Sequence, residues 1–390
     1  MNVEAKKKIV LLGIISRMPV GGLIWQTLQY MVGLERLGYE VYYIEQHGST
    51  PRMFIQTKDD DGWAKAAAFI AELMRGFDFG ERWAYHVLHD GRCYGMSRER
   101  VNDLLASAAL IVNLHGSTKP LPEHSATGRL LFLETDPVDV QIGMQEDREK
   151  MRAYLEPHAA FFTWGENYGS PDCRVPAVEG FDFKPTRPAV VSDFWAANGD
   201  GAGRRFTTIG NWRQQCRQFS HDGEVYHWSK HYEFMKFLDL PQRTGQAFEL
   251  ALSSYEEEDR QLLESHGWRV RDALPFSADL DAYRQYIKQS RGEFTVAKDQ
   301  NVRLRSGWFS ERSATYLAAG RPVITQETGF SNHLPTGAGL FGVLSVDEAA
   351  EAVEAINADY ERHHRAASAI ARECFDYRVV LPPMLAAMGL

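Results

Sequence analysis

The sequence predicts an α/β protein of two doubly wound domains that face each other across a cleft. Three observations carry this. The chain has 390 residues, room for two domains at roughly 100–200 residues each. Short apolar runs alternate with helical patterns through both halves. Between the halves that alternation dissolves into Pro and Gly. Hydrophobic residues at 44% supply side chains for two cores, and charged residues at 24% are near the globular norm.

The first strand is the apolar run Ile9-Val10-Leu11-Leu12-Gly13-Ile14-Ile15. After a Pro/Gly turn, Leu28, Met31, Val32, Leu34 and Leu37 recur near helical spacing, and Gly38 is placed to stop the helix. Glu40-Val41-Tyr42-Tyr43-Ile44-Glu45 is the next strand, so the opening is a parallel βαβ unit with a right-handed crossover. Further strands are expected at Leu110–Leu114, Leu130–Leu133 and Ala160–Trp164. Each ends at once in polar or glycine residues, which puts His115, Glu134, Asp136 and Glu166 at strand carboxyl ends, where open parallel sheets gather ligands. Pro185, Pro188, Asn198, Gly199, Gly201 and Gly203 mark a linker.

Alternation then restarts. Strands are expected at 205–209, 248–252, 268–270, 293–296 and 323–325, and helices at 232–238, 257–265, 280–289, 347–373 and 378–388. The division is therefore residues 1–185, a linker over 186–204, a second domain over 205–374, and a terminal helix over 375–390.

A formal charge of −9 argues against a general nucleic-acid binder. The N-terminal apolar run is interrupted by Ser16, Arg17 and Pro19 too early for a signal peptide or membrane span, so a cytoplasmic protein with no stable membrane insertion is expected. Cys93, Cys173, Cys216 and Cys374 form no Cys-x-x-Cys pair and signal neither zinc nor a disulfide framework. Phosphate-loop, Gly-x-Ser-x-Gly, His-Glu-x-x-His and strict Gly-x-Gly-x-x-Gly motifs do not occur, which disfavours kinase, hydrolase and dehydrogenase chemistry. No metal site is expected. Asp59-Asp60-Asp61 reads as a solvated turn.

The most informative stretch runs from Ser306 to Phe330. Ser306-Gly307 is expected to lead into a helix whose N-terminus favours a diphosphate, with Ser310 and Ser313 as hydroxyl donors. Ala319-Gly320 ends that helix, Pro322 opens the strand Val323-Ile324-Thr325, and Thr328-Gly329 turns toward the same crevice. Earlier in the same half, Gly210-Asn211-Trp212-Arg213 follows a strand and Lys230 heads a helix. A guanidinium and an ammonium there could offset phosphate charge, though either also reads as an ordinary surface cation.

Leu317-Ala318-Ala319-Gly320-Arg321-Pro322-Val323-Ile324 with Thr328-Gly329 resembles the donor-site signature of GT-B glycosyltransferases, specifically the large retaining family that includes glycogen synthase and bacterial mannosyltransferases. Pro19-Val20-Gly21-Gly22 and Leu34–Val41 resemble that family's opening loop, helix and second strand. The resemblance implies two Rossmann-like domains, an acceptor-binding first domain and a donor-binding second one, with the last helix crossing back to the first. It implies sugar transfer from a nucleotide diphosphate sugar to a hydroxyl or other nucleophile, with retention, without a metal, and with no cofactor beyond the co-substrate. A small-molecule or glycan acceptor is expected, and a homodimer stays open.

By the same resemblance Gly21, Gly22, Arg213, Lys230, Ser306, Gly307, Ser310, Thr328 and Gly329 would hold the donor, with His115 facing the transferred sugar. Glu134 and Asp136 could orient an acceptor or act as base, or they could cap a helix before Pro137. Gly21-Gly22 also reads as a plain turn, and His115 as a structural hydrogen-bonding residue. One departure is clear. The family usually carries two glutamates separated by seven residues, and the matching positions here are Gly307 and Thr315. Glu311 lies between them and either takes over a sugar or ribose contact as a catalytic residue or is a solvated helical glutamate. The missing pair keeps two other readings open: a nucleotide-sugar epimerase on the same fold, and an inactive partner subunit.

Overall fold

The structure is a computed structural model that describes residues 5–196, 203–214 and 218–390. Asn198, Gly199 and Gly201 of the expected linker, and Cys216, lie outside the described residues.

The first half forms one sheet. Its strands are β1 (Lys8–Leu12), β2 (Glu40–His47), β3 (Trp83–Val87), β4 (Cys93–Gly95), β5 (Leu110–Leu114), β6 (Leu130–Glu134), β7 (Ala160–Thr163) and β8 (Phe183–Pro185). Their order is β4-β3-β2-β1-β5-β6-β7-β8, parallel except for the edge strand β4. The interior strands are near-continuous apolar runs because both faces are covered by helices. Ile9, Leu11, Val41, Tyr43, Leu110 and Val112 are all buried.

The second half carries β9 (Arg205–Asn211), a hairpin of β10 (Gln218–His221) and β11 (Glu224–His227), and then β12 (Ala247–Ser253), β13 (Trp268–Asp272), β14 (Gly292–Thr295), β15 (Val323–Gln326) and β16 (Leu340–Val343). Its six-stranded sheet is ordered β13-β12-β9-β14-β15-β16 and is parallel throughout. Numbered within the half, that is the 3-2-1-4-5-6 order of a dinucleotide-type sheet. A second core gathers here around Phe206, Phe248, Trp268 and Phe294. Both sheets reverse direction beside their first strand, which opens a crevice at the strand carboxyl ends.

The expected long helix over 347–373 is two helices, Val346–Ala358 and Tyr360–Ile370, with a wider turn over Ala371–Phe375. The break is at Asp359, whose carboxylate accepts from the Arg362 N–H and so starts a new helix. The last helix, Tyr377–Ala386, lies on the first, Gly21–Arg36: a Cβ at Gly33 would stand 2.9 Å from both Leu381 and Tyr377. Val190 pairs with Asp376 in a single bridge, so the segment leaving β8 is tied to the chain's end. No helix among the described residues is long and apolar enough to cross a membrane.

Candidate active site

A cleft of about 550 Å³ opens between the carboxyl ends of the two sheets, within the roughly 300–1,000 Å³ usual for small-molecule sites. From the first half it is lined by the loop after β1 (Met18, Val20, Gly22), by Gln26 and Met53, and by the ends of β6 and β7 (Thr135, Asp136, Trp164). From the second half come the ends of β9, β12 and β13, together with Lys230, Lys298, Trp308 and the start of the helix Glu311–Ala318.

Three cations converge in this cleft. Arg312 is anchored by three groups: its Nε donates to Glu293 Oε1 at 2.6 Å, Nη1 to the Ile209 carbonyl at 2.5 Å, and Nη2 to Thr295 Oγ1 at 2.9 Å. Lys298 pairs with Asp136 across the cleft, and its ammonium lies 3.9 Å from the centre of the Trp228 ring. Lys230 sits 5.1 Å from the centre of the Trp308 ring, with no carboxylate within ion-pair distance among the described residues. Burial, and then the charges of Arg312 and Lys298, push the Lys230 ammonium down to about 7. A cation whose charge is disfavoured chiefly by burial is poised to gain from an incoming anion.

The helix Glu311–Ala318 begins at Ser310 in extended geometry, and no side chain caps it. Ser310, Glu311 and Arg312 line the cleft, so this helix start lies beside those cations, and helix starts carry unpaired N–H groups that suit an anion. Expected from Ser306-Gly307, the helix starts only at Glu311, because residues 306–309 form an irregular loop with Gly307 at positive φ. Glu311 is 7% exposed, which removes the solvated reading. Gln29 Nε2 donates to its Oε1 at 2.6 Å, and burial raises the carboxyl to about 8. Burial thus favours the protonated form of Glu311, the form that can donate a hydrogen bond.

Of the other residues singled out by sequence, Gly22, Ser310 and Asp136 line the cleft with Lys230 and Glu311. Gly21 is pressed on Tyr283. Arg213 is held by Asp259, with Nε to Oδ2 at 2.8 Å and Nη2 to Oδ1 at 2.6 Å, and is not among the lining residues. Ser306, Gly307, Thr328 and Gly329 engage one another and the first half. Ser306 Oγ donates to Asn301, Gly307 N–H to the Thr328 carbonyl at 2.7 Å, and Thr328 Oγ1 to the Trp308 carbonyl at 2.7 Å. Gly307 (φ 80°) and Gly329 (φ 97°) both abut Asn167, where added Cβ atoms would come within 2.3 and 2.7 Å. Their backbone freedom serves the contact between the halves.

His115, also at positive φ (66°), is half-buried beside Thr135: Nδ1 is 3.1 Å from Thr135 Oγ1, Nε2 is buried without a partner among the described residues, and burial lowers the ring to about 4. Glu134 is buried, hydrogen-bonded by Thr163 and Gln141, and raised to about 8 by burial. Neither is among the residues that line the cleft. Glu166 is engaged by Arg187 at 2.6 Å.

Sequence reasoning passed over Arg312, Lys298, Gln29 and the methionines of the cleft mouth. Lys298 carried a legible signal, as the first cation beyond the β14 end. Behind the first loop, Glu45 accepts from the Ser16 N–H at 2.9 Å and the Tyr43 hydroxyl at 2.5 Å, with His47 Nε2 3.0 Å away, so that carboxylate is spent on holding the loop's shape. Among the described residues no group of three or more His, Cys, Asp or Glu is gathered as a metal site.

Compared with solved structures, the chain is similar over its whole length to glycosyltransferases. An α-glucosyltransferase in complex with UDP matches at a TM-score of 0.59 and 9% identity, covering 99% of this chain and 100% of that one. The protein has the GT-B fold. HepE of Anabaena in complex with UDP matches at a TM-score of 0.57 and 12% identity, covering 98% of this chain and 99% of that one. AviGT4, a glycosyltransferase involved in avilamycin A biosynthesis, matches at 0.52 and 12%, covering 98% and 97%. At such identities the GT-B likeness is one of architecture. No protein-family model and no curated protein matches the sequence.

Proposed function

We propose that this GT-B protein transfers a sugar from a nucleotide diphosphate sugar to an acceptor hydroxyl. The observation that carries the reading is the meeting of Lys230, Lys298, Arg312 and an uncapped helix start at the carboxyl ends of the second sheet. Those groups suit a diphosphate, and the solved structures of like fold include complexes with UDP.

In the reaction, the bond between the sugar's anomeric carbon and the diphosphate oxygen breaks, and its electron pair leaves with the nucleoside diphosphate. The acceptor oxygen bonds to that carbon, and its proton passes to the departing phosphate. Lys230 and Arg312 stabilise the developing charge from fixed positions, which is the task a divalent cation performs elsewhere. The transfer is therefore proposed to need no metal. Protonated Glu311 donates to a sugar or ribose oxygen. Retention is supported by the first loop, whose residues 16–26 include no histidine or carboxylate, while Glu45 behind it is fully engaged.

A thermal-shift panel of UDP, GDP, TDP and ADP sugars tests the reading. At least one raises Tm by several degrees, and Lys230→Ala abolishes most of that rise. Absence of any shift across the panel removes the donor site from consideration.

A further inference from the structure

We infer that the acceptor is an uncharged molecule with an apolar body, seated on the first-half wall of the cleft; this rests on the donor reading above. The two walls differ in chemistry. The second-half wall carries Lys230, Lys298, Arg312 and Glu311, whereas the first-half wall carries Met18, Val20, Met53 and Trp164 beside Gln26 and Thr135. Its one ionisable side chain is Asp136, already paired with Lys298. A polyanionic or cationic acceptor would find no free counter-charge there, and transferring a charge onto such a surface without a partner is costly.

The apolar groups are also placed for contact. Met18 is 47% exposed and Met53 48%, and both line the cleft, so two exposed apolar side chains share one concave surface. They come from separate elements. Met18 is on the loop after β1, and Met53 is in the short turn Arg52–Phe54 that follows β2. The loop of Met18 is held rigid from behind by Glu45, through the Ser16 N–H and hydroxyl. A firm loop bearing a thioether at its tip is a platform rather than a frayed end, and unbranched, polarisable methionines mould to flat or aliphatic surfaces.

Opposite them Leu274, 50% exposed, closes the same mouth from the second half. The acceptor's hydroxyl then points inward, between Gln26 and Thr135, toward the sugar. Arg17 and Arg52, next in sequence to the two methionines, are exposed and are not among the lining residues, so they are the groups a polyanionic acceptor would have to use.

The experiment compares acceptors at saturating donor: 4-methylumbelliferone and an octyl glycoside as apolar hydroxyl compounds, a maltooligosaccharide as a polar one, and a hydroxymethylated-base DNA duplex as a polyanion. The inference expects transfer to an apolar compound at a kcat/KM at least ~10-fold above the others. In the double variant Met18→Gln, Met53→Gln, acceptor KM rises ~10-fold with kcat little changed. Preference for the oligosaccharide or the DNA overturns it, as does an acceptor KM within twofold of wild type in the double variant. The donor-induced Tm rise of the wild-type protein separates the two readings: if it is present and the apolar acceptors are not used, the acceptor inference alone falls, and if it is absent both fall.

Discussion

Replacing Lys230 by alanine gives the sharpest prediction, because the pH dependence as well as the size of its effect follows from the cleft. A unit charge about 4 Å from a phosphate oxygen is worth ~4 kcal/mol at the effective dielectric of a partly buried site. Part of that is offset by desolvation and by the cost of holding the side chain, and hydrogen bonds to charged groups are worth ~1.5–3 kcal/mol net. The variant should lose ~2–3 kcal/mol of nucleoside diphosphate affinity, about 30–150-fold in Kd.

The protonation linkage follows from the sign of the shift. Lys230 titrates at about 7 in the free protein, so near neutral pH about half of the molecules carry it uncharged. A bound diphosphate restores the proton, so binding takes up almost none at pH 6 and close to one at pH 8. Titration calorimetry in two buffers of different ionisation enthalpy measures this uptake, and the same titration on Lys230→Ala subtracts the proton taken by the nucleotide itself. Equal uptake by the two proteins, with Kd values within threefold, would refute the reasoning.

Three other outcomes follow from the geometry. Arg213→Ala leaves donor Kd within about twofold, since Asp259 already holds the Nε and Nη2 edge of the guanidinium; a loss above tenfold in a binding titration would show that Arg213 swings into the cleft. Gly329→Ala, at φ 97° against Asn167, costs ~1–3 kcal/mol in urea unfolding, and the double variant with Asn167→Ala recovers part of it by removing the steric contact. Glu134→Gln changes the pH profile of stability. The buried carboxyl keeps its proton up to about 8 while the unfolded chain releases it near 4.5, so wild-type stability relative to the variant falls as pH rises between those values, by up to ~1.4 kcal/mol per pH unit. Unfolding midpoints at pH 5 and pH 8 that shift in parallel for the two proteins would exclude that account.

Much of the fold was legible because parallel strands buried on both faces write themselves as apolar runs with abrupt polar ends. Leu110–Leu114 and Glu257–Ser265 are found where periodicity and length put them. β3 was less legible: Trp83-Ala84-Tyr85-His86-Val87 is wholly buried, but His86 interrupts the apolar pattern, and its Nε2 is satisfied only by the Met96 carbonyl ten residues on. The β10–β11 hairpin did leave a signal in Asp222-Gly223, both at positive φ, flanked by alternating side chains.

The site was harder to read, because the direction of a side chain depends on partners far away in sequence. Nothing near Arg213 announces Asp259, and nothing near Gly307 and Gly329 announces Asn167. Lys230 and Glu311 were legible from position alone. Their shared environment, with Arg312 and Lys298 opposing one and Gln29 donating to the other, required the two sheets to be brought face to face.

The central claim is that the cleft between the sheets seats a diphosphate on the second-half cations, and a crystal structure of the protein with a nucleotide diphosphate sugar tests it most directly. The account predicts phosphate oxygens within hydrogen-bonding distance of Lys230 and the Glu311–Ala318 helix start, with the sugar beside Glu311. A nucleotide seated instead in the basic hollow of about 380 Å³ formed by Lys6, Lys7, Lys8 and Arg129 at the amino ends of β1, β5 and β6, with the cleft cations untouched, would contradict it.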